Sequence, residues 1–284
     1  MARKGIALVC LFLLASCTVF GLDLRLKLSG GLGYFNLKDI NRALKGWEEV
    51  WKTRVQISPS WSLQGGGVKR FQIGAEFEGE VILFLNRRLA FSLGSGYLYG
   101  EVSEKSAQLT IQRGVSTYVY AHPAKVSAIP LIVSGYFFFP LGKKMSLFLK
   151  AGGGALWAKY IDRDGERLLP AVIFAYGSSP QFATARGSLF EFGLGAKYNV
   201  EKNVSFFFEA TGRASRPKHF QGELPDGTTG TLYFYEEYLP TVKLWQARLR
   251  LLTAAPEGEI FRSVREAVVD LNGFSLKIGI MIQF

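Results

Sequence analysis

Eight segments of the chain alternate large apolar side chains with small or polar ones at a period of two residues. The segment 274–284 shows this most clearly, with large apolar residues at every even position and mainly small or polar residues at the odd positions. The other seven segments are residues 24–34, 71–81, 91–99, 128–139, 147–157, 190–198 and 204–213. Successive side chains of a β-strand point to opposite faces, so a period of two predicts a strand. The sequence therefore predicts eight β-strands.

The length and composition of these segments favour a membrane barrel over a soluble β-sandwich. Each segment is close to the roughly 9–11 residues with which a tilted strand crosses a bilayer, and an even number of strands allows antiparallel closure. Glycine (32 residues) and aromatic residues (14%) are abundant, as in all-β barrels. In a membrane barrel the large apolar face would contact lipid, whereas in a sandwich it would form the core.

The connections between the eight segments alternate strictly in length. The short connections are residues 86–88, 140–144 and 201–203, and the long ones are residues 37–68, 103–124, 161–186 and 218–272. Bacterial barrels have short periplasmic turns and long extracellular loops. We therefore predict an all-β fold, a closed antiparallel transmembrane β-barrel of eight strands. The alternative is a barrel of ten strands, with a hairpin added from the last long connection.

The start of the chain has the layout of a secretory signal peptide. Two basic residues precede an apolar stretch at residues 5–16, and small residues follow, which is the pattern of an exported protein. Residues 1–21 are predicted to be the signal peptide and residues 22–284 the barrel, located in the bacterial outer membrane. Residues 14–17 also match a lipobox, and in that alternative Cys17 is the lipidated first residue of the mature chain. Both cysteines of the chain lie in this leader, so no disulfide framework is expected.

Charged side chains fall on the face of the predicted strands that points into the barrel. They are Arg25, Lys27, Glu76, Glu78, Glu80, Lys150, Glu191, Lys197, Glu209, Arg213 and Lys277. An eight-stranded barrel is only just wide enough for side chains to fill it, and unpaired charge there is costly. We therefore expect an interior charge network of ion pairs and water that fills the barrel. A narrow gated conduit is the alternative.

Two long connections contain candidate secondary structure. Ile40, Leu44, Trp47 and Trp51 recur at helical spacing, which predicts a helix packed on the barrel rim, or a lid or ligand-binding element. Asp39 or Asn41 is its predicted N-terminal cap. In the last long connection, residues 232–238 are predicted to extend the seventh strand, and residues 244–252 and 260–269 to form further strand or helix.

Several classes of function are disfavoured. The formal net charge is +11, but the lysines and arginines do not form one basic stripe, so no nucleic acid is expected. An enzyme would need a nucleophile or activated water beside a base, and the only histidines, His122 and His219, lack such a setting in the sequence. Neither a metal-ligand cluster nor a phosphate-binding glycine loop is visible. We therefore expect no enzyme activity, no metal and no cofactor.

The last residues of the chain resemble the C-terminal β-signal of outer-membrane barrels. Lys277, Gly279, Ile282 and Phe284 match its polar, glycine, apolar and aromatic positions. The resemblance implies that the barrel-assembly machinery recognises Lys277, Gly279, Ile280, Ile282 and Phe284. Residues 128–137, 151–155 and 192–198 also resemble strands of the small outer-membrane barrel superfamily that includes OmpA, OmpX, OmpW and the opacity proteins. That resemblance covers the strands and leaves the long loops, and with them the specific function, open.

Two roles are predicted. The first is a structural or passive-transport barrel for small molecules, hydrophobic ones included. The second is a surface-binding, adhesin-like barrel that acts through its long extracellular loops, and the positive net charge suits contact with lipopolysaccharide phosphates. A lipid A-modifying enzyme is also considered, because such enzymes occur among barrels of this size. It ranks below both roles, because no nucleophile beside a base is seen in the sequence. The expected partners are outer-membrane lipids, lipopolysaccharide and the barrel-assembly machinery, and the barrel is expected to be a monomer.

Overall fold

The computed structural model describes residues 23–163, 165–168, 175–176 and 181–284. The predicted signal peptide, its two cleavage alternatives and Cys17 lie outside the described residues. The elements are, in chain order, β1 (Asp23–Phe35), α1 (Lys38–Ile57), β2 (Trp61–Val68), β3 (Ile73–Phe84), β4 (Leu89–Val102), a 3₁₀ turn (Glu104–Ser106), β5 (Ala107–Arg113), β6 (Ser116–Ala121), β7 (Ala124–Pro140), β8 (Met145–Asp162), β9 (Gly165–Leu168), β10 (Ala175–Tyr176), β11 (Gln181–Asn199), β12 (Val204–Ala214), β13 (Gln221–Glu223), β14 (Thr229–Leu239), β15 (Leu244–Leu252), β16 (Phe261–Glu266) and β17 (Gly273–Gln283).

Eight of these strands close into an antiparallel barrel. The order around the ring is β1, β3, β4, β7, β8, β11, β12 and β17, and β17 pairs with β1 to complete it. Each of the eight segments with a period of two supplies one barrel strand, so the prediction of a closed eight-stranded barrel is confirmed. Closure leaves the barrel without a free strand edge.

The ten-stranded alternative is wrong. The last long connection does contain strands, but β14 pairs with β13, β15 and β16 and does not enter the ring. Among the described residues, this group pairs with the barrel wall at one position, Thr184 with Gln221. Residues 232–238 therefore lie in strands that branch off the ring above the rim and do not extend the seventh strand.

The period of two separates an apolar outer face from a mixed inner face. Ile73, Phe192 and Ile278 point outward, with 68%, 71% and 67% of their surface exposed. Between such residues, inward positions such as Glu80 and Lys150 are buried. Along the described parts of the chain, no helix is both long and apolar enough to span a bilayer.

The connections have the predicted alternation of short and long, with the short ones at one end of the barrel and the long ones at the other. Residues 85–88, 141–144 and 200–203 join neighbouring barrel strands by tight turns at one end. The long connections all leave the opposite end, where they fold into a second layer. Strands β2, β5, β6, β9 and β10 form one sheet of that layer, and β13 to β16 form a second group of paired strands that is joined to β11 of the barrel.

Helix α1 lies between these two groups of strands. Ile40, Ala43 and Leu44 join the large core that runs from the upper lumen into the β13–β16 group. Trp47 and Val55 join a smaller core with β5 and β6. The helix and β15 approach so closely that a methyl group on Gly46 would lie 2.8 Å from the backbone nitrogen of Ala247. The predicted helix and its place above the rim are thus confirmed.

Two local predictions are wrong because tertiary contacts use the residues differently. The N-cap of α1 is Leu37, which makes no side-chain cap bond. Asn41 instead bonds both backbone groups of Phe71, at 2.7 and 2.9 Å, and Asp39 pairs with Arg265. Phe71 itself precedes β3 and is buried against Gly100, so it does not belong to the outward face.

Candidate functional site

The charges predicted to point inward meet in the middle of the barrel. Lys150 Nζ lies 2.7 Å from a Glu78 oxygen and 3.2 Å from a Glu80 oxygen, and it also pairs with Glu191. Lys150 is 2% exposed. One lysine from β8 thus links carboxylates of β3 and β11 across the lumen.

Three further cations complete this network. Lys27 lies 2.6 Å from Glu80 and pairs with Glu209, and Lys277 lies 2.6 Å from Glu78. Arg213 Nη1 lies 2.6 Å from Glu76. The members are Lys27, Lys150, Arg213 and Lys277 with Glu76, Glu78, Glu80, Glu191 and Glu209. Such pairing offsets part of the desolvation cost of burying so many charges.

Lys197 and Arg25 lie outside the network. Lys197 Nζ is 5.5 Å from the Phe138 ring centroid and 5.9 Å from that of Phe84. Within the described ranges no carboxylate lies within 4 Å of it. Arg25 pairs with Asp23 at 2.7 Å and covers the Phe84 ring at 4.0 Å. The structure therefore brings together nine of the eleven charges predicted to point inward and leaves out Lys197 and Arg25.

Apolar layers close the lumen on both sides of the charges. Towards the short turns, Tyr136, Phe138, Phe148 and Phe207 belong to one buried cluster, and the Phe138 and Phe148 rings are 5.7 Å apart. Towards the long connections, buried apolar side chains continue into the core beneath α1; they include Phe35, Phe71, Leu98, Ile132, Leu156 and Leu189. The lumen is packed in three successive layers.

The segment that resembles an assembly signal lies in β17, between β1 and β12. Lys277 points inward to the charge network, whereas Ile278 and Phe284 are exposed on the outside. Gly279 faces the lumen, where a methyl group would lie 2.7 Å from the Phe207 ring. Ile280 and Ile282 are half-buried on the outward face.

A cavity of about 200 Å³ lies beneath α1, against β15. Helix α1 contributes Trp47, Trp51 and Arg54, and β15 contributes Arg248 and Arg250. His122, just after β6, closes one side and pairs with Asp162 at 2.9 Å. Arg248 lies 2.7 Å from Glu237. Cationic and aromatic side chains therefore surround this cavity, which we call the α1–β15 cavity.

Ion pairs hold α1 to the strands beside it. Arg265 of β16 donates two hydrogen bonds to Asp39, which raise the pKa of Arg265 above its ordinary value. Glu236 of β14 lies 2.6 Å from both Arg42 and Arg262. Burial alone would raise the pKa of Glu236, but the bonds and charges of the two arginines outweigh it and lower the pKa.

The two histidines lie at separate places. His122 borders the α1–β15 cavity, and exposed His219 lies 2.5 Å from Glu266. In the described part of the chain, no group of three or more histidine, cysteine, aspartate or glutamate side chains could hold a metal ion. Each histidine therefore has a carboxylate oxygen within 3 Å of one ring nitrogen.

Comparisons with known proteins found no matching family model and no significantly similar curated protein. The structure nevertheless defines the architectural class of the protein. The chain forms a closed eight-stranded antiparallel β-barrel with a packed lumen and a folded layer over one rim.

Sequence reasoning missed the α1–β15 cavity. Arg248 and Arg250 alternate along β15 with buried Ala247, Leu249 and Leu251, and that period of two signals a strand with one polar face. Nothing in the sequence relates this face to Arg54 on the helix, because the long connections carry no pattern that fixes which of them pack together.

Proposed function

We propose that the protein is an outer-membrane β-barrel that holds a rigid binding layer at the cell surface and does not conduct through its lumen. The packed lumen is the observation that carries this proposal. Aromatic side chains, the charge network and the core under α1 follow one another along the barrel axis. The surface-binding role therefore has more support than passive transport.

The outer face of the barrel supports the membrane location. Exposed apolar side chains on several strands of the ring, such as Leu93, Val133 and Phe192, would be costly in water and suit the hydrocarbon of a bilayer. Tyr34 and Phe274 stack at 5.6 Å near the rim with the long connections, where aromatic residues favour the membrane interface. Because closure leaves no free edge in the ring, a monomer suffices.

Cations above this apolar face suit lipopolysaccharide as a neighbour. Trp157 pairs in register with Arg186, and Lys159 pairs with Thr184 one step further from the membrane. These four residues line one surface depression together with Lys218. Each lysine or arginine near an anionic membrane surface adds roughly 1 kcal/mol of attraction. We propose phosphate-bearing lipid as the partner of this band and assign the protein no catalytic step.

The orientation can be tested with single cysteines. The predicted mature chain from residue 22 contains no cysteine, so one introduced thiol gives one label. Thr241→Cys lies between β14 and β15 and Lys143→Cys in a short turn, and both positions are exposed. A membrane-impermeant maleimide on intact cells should label Thr241→Cys only, and both variants should label after lysis. Labelling of Lys143→Cys alone on intact cells would reverse the orientation.

The closed lumen can be tested by planar-bilayer recording. The protein should first show the faster migration of an unboiled, folded barrel on a denaturing gel. We expect such protein to insert without steady current steps. Reproducible current steps of constant size would contradict the closed lumen and would favour passive transport instead.

A further inference from the structure

The α1–β15 cavity combines two guanidinium groups that have no carboxylate neighbour. In the part of the chain that the structure describes, no carboxylate oxygen lies within 4 Å of Arg54 or Arg250. Arg248 is different, because it is paired with Glu237 at 2.7 Å. Arginine is always charged and normally finds an anion when it is half-buried. Two such groups on one cavity leave an excess of positive charge there.

The aromatic wall of the cavity is held in place by stacking. Trp51 stacks on Tyr120 with ring centroids 3.9 Å apart, and Trp47 meets Trp51 edge-on at 6.5 Å. Arg54 lies over the Trp51 ring at 5.0 Å, so a cation–π contact helps to position its guanidinium. These contacts fix the charged group before any ligand arrives.

One further donor is available at this wall. Trp47 is 4% exposed, and its indole Nε1 has no hydrogen-bond partner among the described residues. A buried donor without a partner costs roughly 1–3 kcal/mol, so such donors are rare unless something else satisfies them. Trp47, Arg54 and Arg250 line the same cavity, and the side chain of each carries a hydrogen-bond donor.

We propose that the α1–β15 cavity binds a small oxyanion, a carboxylate or a phosphate. Guanidinium groups donate paired hydrogen bonds to such groups, and the indole N–H adds a third donor. The volume of about 200 Å³ limits the ligand, since roughly 150 Å³ accommodates a benzene ring. A space of this size accommodates a phosphate, or a carboxylate carried on one ring that lies against the indoles. The inference deepens the proposed surface-binding role and rests on it for access from outside the cell.

The test is calorimetric titration of the full mature chain, folded in detergent, with benzoate and with inorganic phosphate. Benzamide serves as the uncharged match of benzoate. We expect saturable binding of at least one oxyanion and none of benzamide. Binding of benzoate alone identifies a carboxylate site, and binding of phosphate alone a phosphate site. Failure of both anions to bind correctly folded protein, or equal binding of benzamide, would overturn the inference.

Variants show whether binding uses the assigned donors. Arg54→Gln and Arg250→Gln should each weaken binding about ten-fold or more, because each removes charge-assisted hydrogen bonds. Trp47→Phe keeps the ring but removes the N–H and should weaken binding less. Arg70→Gln, at an exposed position outside the cavity, should have no effect, and the unboiled gel band verifies folding of each variant. Unchanged affinity in an Arg54→Gln, Arg250→Gln double variant would place the ligand elsewhere. Because these titrations need no membrane, their failure would leave the labelling and conductance results to decide the proposed function separately.

Discussion

Asp39, in the first turn of α1, accepts two hydrogen bonds from Arg265 of β16, at 2.7 and 2.5 Å. The pair joins segments 226 residues apart and also orders the backbone, since Asp39 accepts a bond from the N–H of Val268 at 3.1 Å. Asp39 is buried, whereas 43% of the Arg265 side chain is exposed. This pair is therefore the main polar link between the helix and the last outer strand.

Removing this link should loosen α1 without opening the barrel. Arg265→Gln leaves the buried Asp39 charge short of donors, and we expect the local opening free energy of the helix to fall by about 1–2 kcal/mol. Hydrogen exchange of residues 38–57 measures this directly. Lys45→Gln is the control, because its pair with Glu49 is exposed at 3.4 Å and contributes little. Equal protection of the helix in both variants would contradict the assigned role of Arg265.

The interior lysines provide a matched comparison. Lys150→Met removes the cation shared by Glu78, Glu80 and Glu191 and leaves their charges uncompensated, so we expect a loss of about 3–5 kcal/mol in unfolding free energy. Lys197→Met removes a cation that is also buried, at 7% exposure, but has no carboxylate within 4 Å among the described residues. It should cost much less or stabilise the barrel.

The urea midpoint of the unboiled gel band reports both interior variants in the same detergent. If Lys197→Met lowers the midpoint as much as Lys150→Met does, burial of a cation and not its pairing governs the interior. The charge network would then be a consequence of packing and not a source of stability.

Glu236 makes the second layer, above the rim of the barrel, sensitive to acid. Burial acts to raise its pKa, but Arg262 and Arg42 outweigh burial and hold the pKa below the ordinary value of 4.5. A carboxyl group with a lowered pKa stabilises the fold above its unfolded pKa and loses that contribution as the pH falls through its folded pKa. We therefore expect protection of β16 to decrease as the pH is lowered from about 4.5.

The decrease should be smaller in Glu236→Gln, which has no carboxylate to protonate. Hydrogen exchange of residues 261–266, corrected for the intrinsic effect of pH on exchange, measures the difference. Identical pH dependence in the two proteins would assign the acid sensitivity to other carboxylates.

The barrel could be predicted because its strands are specified by residues close together in the chain. Strand alternation depends only on neighbouring residues, so inward residues such as Lys150 and Glu191 were identified from phase alone. Their partners could not be identified, since the register that sets Lys150 opposite Glu78, 72 residues away, depends on closure of the whole ring. The exclusion of Lys197 from the network has the same origin.

The second layer, above the rim of the barrel, could be predicted only in part. Helix α1 was evident from its apolar spacing, but its cap was not, because Asp39 and Asn41 bond to distant chain segments instead of their own helix. The sheet of β2, β5 and β6 and the pairing of β14 with β16 depend on long-range contacts between loops. The α1–β15 cavity results from those contacts and has no signature in any one segment.

Gly195 shows how tightly the lumen is packed in the part that lies towards the short turns. A methyl group there would overlap the Phe148 ring and the backbone carbonyl of Phe208, so the ring or the strand would have to move. Gly195→Ala should therefore cost about 1–3 kcal/mol, the usual range for overpacking. Gly135→Ala is the control on the outward face, where the nearest atom, of Phe91, would lie 3.9 Å away. The urea midpoint of the unboiled band should fall for Gly195→Ala and stay unchanged for Gly135→Ala. An unchanged midpoint in both would mean that the aromatic layer yields easily, and a layer that yields easily is a weak barrier to conduction.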